Sequence, residues 1–369
     1  MGSFFASRWV AALAVMSVAL LGGAVVTACG EDDGGAGGGG SADVKLTVAG
    51  WGGASNDSTR EAYLDPFEAD EGVGASFVDA PGTQLARLQA QNEAGKIEWD
   101  TFDGLPGDAA FILDEKGYLA PLPADLKADF EKTLGPERVT SFGFAHGNLA
   151  SLIVCNMDRM KTCPKDMAEF YDTEKFPQKR MFSGIAPIMA VTTAQVVAGV
   201  PRAETSTTPV DMDAAFAQLE RLKPKVEVFW QSGDQQEQIM RSGAADMGIM
   251  WSNRAHRLKT DGMNLQMTWT DSAYEPSYWS VPKGAPNERE AFELMSWIAH
   301  HPRAEAKWAE LIGASVPNPK AFDYLPDEVV EDLPDEPANF EQLAVPNFAW
   351  YAKHTKELDR RYQDFVRGG

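Results

Sequence analysis

Apolar and polar residues alternate along "DVKLTVAGW", and the alternation stops at Gly50-Trp51. A period of two predicts a β-strand with one buried face. The polar loop "GGASNDS" then leads into "TREAYLDPFEADEG", a helical stretch with Pro66 inside it. "GASFVDA" reads as the next strand, and "GTQLARLQAQNEAGK" as an amphipathic helix with Leu85 and Leu88 on one face. "IEWDTFDGLPGD" is a short strand broken at Gly104, and "AAFILDEKG" is a helix stopped by Gly117. Strands alternating with helices of this length predict parallel βαβ units and an open α/β sheet. In such sheets ligands lie beyond the carboxyl ends of the strands. Trp51, Asp103 and Asp108 all fall at such ends.

A second run of the same kind begins near "GNLASLIVCN" and continues through "KRMFSGIAPIMAV" and the helix "DMDAAFAQLERLKP". The strand "VEVFW", a helix around "DQQEQIMRSG" and the strand "ADMGIMWSN" follow. "YWSVPKGAPN" precedes the long helix "EREAFELMSWIAHHPRAEAKWAELIG". The tail "PDEVVEDLPDEPANFEQL" is acidic and Pro-rich, and "WYAKHTKELDRRYQDFVRG" is a last helix. No internal repeat and no second apolar membrane segment stand out.

Ahead of all this lies Arg8, then "WVAALAVMSVALLGGAVV", the pattern of an export signal. The apolar run is just long enough to span a bilayer, so an uncleaved anchor and an ordinary secreted protein are the alternatives. Gly22 and Gly23 interrupt the run, and "VTAC" resembles the lipobox of bacterial lipoproteins. That resemblance implies a signal peptide over 1–28, cleavage before Cys29 and a lipid on its sulfur. Residues 29–43, "CGEDDGGAGGGGSAD", then form a flexible tether with an r.m.s. reach of about 20 Å. The glycines follow no strand and open no helix, so they are no phosphate loop.

About 340 residues remain after the signal, more than one core usually serves, and this predicts two lobes. The formal charge of −21 excludes nucleic acid as a partner but says little about a ligand, since acidic surfaces mainly keep proteins soluble. Of three cysteines, Cys155 and Cys163 sit close together in "VCNMDRMKTCP". Outside the cytoplasm such a pair is expected to form a disulfide contributing about 2–3 kcal/mol, with two free thiols as the alternative. The five histidines supply no further zinc ligands at nearby spacing. There is no serine elbow, HExxH, paired CxxC or nucleotide-binding glycine turn. His300-His301 precedes Pro302 in a helix. No enzyme, metal or cofactor is therefore expected.

Several stretches carry a family resemblance: "TVAGW", "EWDTFDG", "PKDMAEFYDTEKFPQKRMF", "MGIMWSNRAH" and "YWSVPKGAPNEREAFELMSWI…IGASVPNP". In this order the chain resembles the substrate-binding lipoproteins of bacterial ABC importers, specifically the spermidine/putrescine type. The resemblance implies an α/β, two-lobed periplasmic-binding-protein fold (type II-like), with a ligand cleft between lobes joined by crossing strands. Lobe 1 would be 44–146 and 274–316, and lobe 2 147–273 and 317–369. The implied function is hinge closure on a small-molecule solute and delivery to ABC permease subunits by a monomer. The protein would be exported and lipid-anchored to a bacterial membrane through Cys29.

A polyamine site needs a carboxylate for each desolvated ammonium, since an unpaired buried charge costs several kcal/mol. Aromatic faces along the alkyl chain add about 0.5–2 kcal/mol each. By the resemblance, Trp51 and Trp251 stand where relatives flank the ligand, and Asn253 belongs to a motif in which relatives show a Trp-Asn pair. Tyr274, Tyr278 and Trp279 lie near the crossing strand. The acids depart from the family pattern. "SGIAPIMAV" has none, Ser277 replaces a family aspartate with Glu275 two residues earlier, and Ala314 replaces an aromatic. Asp57, Asp103, Asp108 and Glu275 are the candidates to compensate, each with a solvated or capping role as its alternative. Asp108 is the best placed, although the same position suits an N-cap. Arg254, His256 and Arg257 would favour an anionic or zwitterionic solute, or simply face water at a helix start. The expected ligand is a polyamine such as spermidine or putrescine. The alternatives are another small organic solute (amino-acid derivative, sugar or organophosphonate) or a non-transport receptor or scaffold. Ferric iron is disfavoured because the last third has no adjacent tyrosine pair.

Overall fold

A computed structural model describes residues 44–368. The signal and tether read over 1–43, Cys29 included, lie outside the described residues. The first strand, β1 (Lys45–Gly50), buries Leu46 and Val48 completely. Helix α1 (Gly53–Thr59) runs through a π-turn at Arg60–Leu64 into α2 (Asp65–Glu71). The wider turn lies just before Pro66, whose missing N–H and bulky ring would otherwise break the ladder. Gly72, at φ 72°, ends the helix in the left-handed region. With β2 (Gly74–Asp79), α3 (Gln84–Glu93) and β3 (Thr101–Phe102), this unit forms a parallel sheet of order β2-β1-β3.

The chain goes on through β4 (Leu105–Pro106), α4 (Gly107–Glu115), α5 (Ala124–Leu134) and β5 (Gly143–Ala145). It then leaves along β6 (Leu149–Asn156) for a second sheet. That part holds α6 (Met167–Tyr171), β7 (Arg180–Ser183), α7 (Pro187–Val197), α8 (Met212–Leu222) and β8 (Val226–Trp230). It continues with α9 (Gly233–Ser242), β9 (Met247–Trp251), α10 (Ser252–Thr260) and the long β10 (Leu265–Glu275). The order is β10-β6-β9-β7-β8. Only β7 pairs in parallel, with β8 and β9, whereas β6 runs antiparallel to both β9 and β10. The purely parallel expectation fails here because β6 enters the sheet from the other lobe and β10 leaves it beside β6.

After Pro276 alone, β11 (Ser277–Ser280) inserts between β4 and β5 in the first lobe. His146 N donates to Ser277 O at 2.8 Å, so the outgoing and returning passages are stitched together. Helices α11 (Glu288–His300) and α12 (Pro302–Ile312) cover this lobe, where Phe67, Trp297 and Trp308 join Leu46 and Val48 in one core. A second cluster with Phe102, Leu113 and Phe142 lies against β3 and β4. The other lobe has two cores, around Ile153 and Phe182 and around Met181 and Trp230. This is the two-lobed α/β periplasmic-binding-protein fold.

The stretch from 317 was expected in lobe 2. Instead Ala321, Leu325 and Leu333 are buried in the first-lobe core, because a 3-10 turn at Pro319–Tyr324 and α13 (Asp327–Val330) turn them onto it. The return comes later: α14 (Pro337–Phe340) and Leu343 meet the second lobe, followed by α15 (Phe348–Arg367). Helix α15 buries Phe348, Tyr351, Leu358, Tyr362 and Phe365, the spacing of one helical face. Cys155 and Cys163 are joined in a disulfide, with Cα atoms 5.7 Å apart.

Candidate functional site

Neighbouring side chains on β10 point to opposite faces. Tyr274 turns to the back, where its hydroxyl donates to Asp335 Oδ1 at 3.0 Å and its ring meets Phe340. Glu275 turns the other way. Its Oε2 accepts from Trp251 Nε1 at 3.0 Å and from Ser151 Oγ at 2.9 Å. Ser151 lies opposite Trp251 in the β6–β9 register, which sets both donors at one carboxylate. The Trp251 amide donates to Gln236 Oε1 at 3.0 Å, and the indole packs edge-on against Trp230. Burial pushes the Glu275 carboxyl up to about 7; its two hydrogen bonds pull it back, and the charge of Asp108 adds to the rise.

Asp108 reaches this locus because Gly107 N donates to Pro276 O at 3.0 Å, seating the start of α4 on the returning passage. There is no room for a side chain at Gly107: a Cβ would come within 3.0 Å of Phe348 and of Pro276 O. Asp108 Oδ1 accepts the Ala109 N–H at 2.8 Å, a local contact within the first turn. Burial raises its carboxyl, and Asp359 adds to the rise. Asp359 comes from α15, where it accepts the Tyr351 hydroxyl at 3.1 Å and is likewise raised by burial. Asp108 thus lies within electrostatic range of both Glu275 and Asp359, and among the described residues no Lys, Arg or His forms an ion pair with any of the three. They do not converge tightly enough to hold a metal ion, and no such group occurs among the described residues.

On the first-lobe side, Trp51 is 36 % exposed and donates through Nε1 to Gly104 O at 3.0 Å. Gly104, at φ 73°, sits between Trp51 and Ser277: a Cβ there would be 3.2 Å from the indole nitrogen and 3.7 Å from Ser277 Cβ. Trp51, Asp108, Trp251, Glu275 and Ser277 are therefore gathered around Pro276.

The other candidates lie elsewhere. Asp57 is exposed on α1. Asp103 is 2 % exposed and turned into the first lobe, accepting from Thr59 Oγ1 at 2.8 Å, with burial pushing its carboxyl up to about 7. Tyr274 serves the back of the crossing, Tyr278 packs with Phe111 and Phe142, and Trp279 is fully buried core. Asn253 is half-buried beside Gly313 of the first lobe. The basic group after Trp251 is already paired. Arg254 meets Asp234 at 3.0 Å and Glu237 at 2.9 Å, Arg257 meets Glu237 at 3.6 Å, and His256 meets Asp332. Each of these three side chains therefore already has an acidic partner. Ser151, Gln236, Tyr351 and Asp359 went unnoticed in the sequence. The alternation of "LASLIVCN" was the only signal for Ser151, and nothing pointed to the two α15 residues.

This arrangement can desolvate and hold a cation. A gamma-aminobutyric acid-binding protein of Pseudomonas aeruginosa is 27% identical over 323 residues, covering 86% of this chain and 89% of the relative. The spermidine/putrescine-binding periplasmic protein of Escherichia coli is 26% identical over 131 residues, 34% of this chain and 36% of that one. A solved GABA receptor superposes with a TM-score of 0.78 at 26% identity, covering 88% of this chain and 98% of the receptor chain. The sequence profile of the bacterial extracellular solute-binding proteins matches residues 62–338.

Proposed function

This chain belongs to the bacterial extracellular solute-binding protein family, and we propose that it captures a small amine between its lobes for an ABC importer. The observation that carries the reading is the run of Glu275, Asp108 and Asp359 from the crossing to α15, with no cation among the described residues ion-paired to them. Taking carboxylates out of water without a partner costs several kcal/mol each, and an incoming ammonium supplies the partner. Trp251 orients Glu275 through its indole N–H. Trp51 lies across the crossing at the edge of the first lobe. Closure of the lobes then traps the solute for transfer to a permease. A lipid on Cys29 would keep the protein at the membrane.

The acids cluster at one place, and the stretch 183–191 has none to take a second ammonium. This favours a solute with one amine end, an ω-amino acid of the GABA class, and a relative of that binding activity covers most of the chain. A polyamine is the second reading, with Asp79, whose carboxylate lies beside Gly52, as an acid close to Trp51 for the second ammonium.

The test is a thermal-shift panel of GABA, putrescine, spermidine, glucose and a phosphonate. At a hundredfold excess over Kd, linkage adds about 2.7 kcal/mol to stability. An upshift with an amine is expected. A panel in which only the sugar or the phosphonate stabilises the protein would overturn the reading.

A further inference from the structure

We propose that Asp332 is an inter-lobe latch whose contacts with α10 must break when the cleft opens. Asp332 is anchored to the first lobe: Leu333 next to it is core there, and Val329 and Val330 pack against the same core. Its carboxylate, however, is taken by the second lobe. Lys259 Nζ lies 2.6 Å from Oδ1 and 2.7 Å from Oδ2, and His256 Nδ1 lies 2.8 Å from Oδ2. Both partners belong to α10, whose Ala255 and Leu258 are core residues of the second lobe. The Asp332 side chain is 8 % exposed and that of Lys259 38 %, so water and salt screen the contact only in part.

Asp335, three residues on, shows why the two acids differ. It sits at the pivot, accepting from Asn148 Nδ2 at 2.8 Å and from the Tyr274 hydroxyl at 3.0 Å, one residue from each crossing passage. Arg138 of the first lobe completes its pairing at 3.0 Å. Groups at the pivot keep their neighbours during a hinge rotation. Asp332 lies off the pivot, between two bodies that rotate apart. Helix α10 also starts at Trp251 and Ser252, and Ser252 Oγ accepts from Ala150 N at 3.2 Å, so one rigid element links the solute end of the site to the latch.

The latch adds stability to the arrangement seen here and to no arrangement in which α10 has moved away. Its loss should shift the population toward open forms and weaken cargo binding without touching a cargo contact. The experiment is small-angle scattering of the ligand-free protein and of D332N, with GABA titration alongside. D332N is expected to give a larger radius of gyration and an affinity for GABA about threefold to tenfold weaker. K259M, altered at the more exposed partner, should shift both readouts the same way, and the double variant should add little. If D332N fails to fold, K259M alone decides. Unchanged scattering in the variants overturns the latch whatever GABA does. Changed scattering supports it even if GABA does not bind, an outcome that counts only against the proposed cargo.

Discussion

Trp251 Nε1 and Glu275 Oε2 are 3.0 Å apart, a hydrogen bond that joins the end of a second-lobe strand to the residue just before the chain returns to the first lobe. It holds a half-buried carboxylate in place and leaves that carboxylate short of a positive partner. The expected behaviour of the protein follows largely from this pair.

Glu275→Gln keeps the size and an acceptor for Trp251 and removes the charge. Amine binding should weaken by about 3 kcal/mol or more, over a hundredfold, as expected for removing one partner of a desolvated charge pair. Calorimetric titration with GABA and putrescine measures it. The fold should be unharmed or slightly stabilised, because a strained carboxylate is gone. Equal affinity in the variant would remove Glu275 from the site.

The acidity of the site gives it a pH dependence of defined sign. The Glu275 carboxyl is raised from 4.5 to about 7, and that of Asp103 from 3.8 to about 7. Between the ordinary values and about 7 the folded chain keeps protons that the unfolded chain has released. Stability from these groups is therefore full below that window and falls as pH rises through it. Ligand-free Tm should be higher at pH 5.5 than at 7.5 on their account, with a shallower slope in Glu275→Gln and in Asp103→Asn. Amine affinity runs the other way, since the ammonium needs the ionised carboxylate. It should rise up to about tenfold per pH unit below 7 and level off above. Affinity that stays flat from pH 5.5 to 8 would contradict this.

The two tryptophans should behave differently. Trp51 is partly exposed and anchored by one hydrogen bond to Gly104, so Trp51→Ala should cost little stability while weakening amine binding by about 1–2 kcal/mol. Trp251→Phe keeps the packing on Trp230 and deletes the donor to Glu275. It should also weaken binding and push the Glu275 carboxyl further up. Thermal melts beside titrations separate the two effects, and intact affinity in both variants would exclude the indoles.

The Cys155–Cys163 bridge closes a short loop at the end of β6. Replacing both by serine should lower unfolding stability by about 2–3 kcal/mol, seen as a lower urea midpoint with little change in slope. Solute affinity should hardly move, because the bridge lies at the far end of β6 from Ser151.

The alternating strand before Trp51 and the existence of the last helix, α15, were legible in the sequence, because regular structure writes its period into side-chain order. Tyr274 and Glu275 show where such reading stops. Both were candidates, yet only strand pleating decides that one faces the cleft and the other the pivot. Asp103 looked like a cleft acid because it follows a strand. It turns inward because Thr59 waits there, itself held by Trp308 Nε1 at 2.9 Å from far along the chain. Asp359 and Tyr351 reach Asp108 only because α15 packs on α4, a contact that leaves no local trace. The lobe boundary at 317 was misplaced for the same reason: Leu325 and Leu333 are apolar in any setting, and only the tertiary fold says which core receives them.

The sheet of β4, β11 and β5 gets its middle strand last. A chain emerging from the ribosome has β4 and β5 long before residue 277, and until then the two edges have nothing to join them. The amino-terminal half thus lacks the strand that completes this sheet until later segments are made. Any fragment that stops before residue 277 therefore carries two bare strand edges, and only the longer chain can close them.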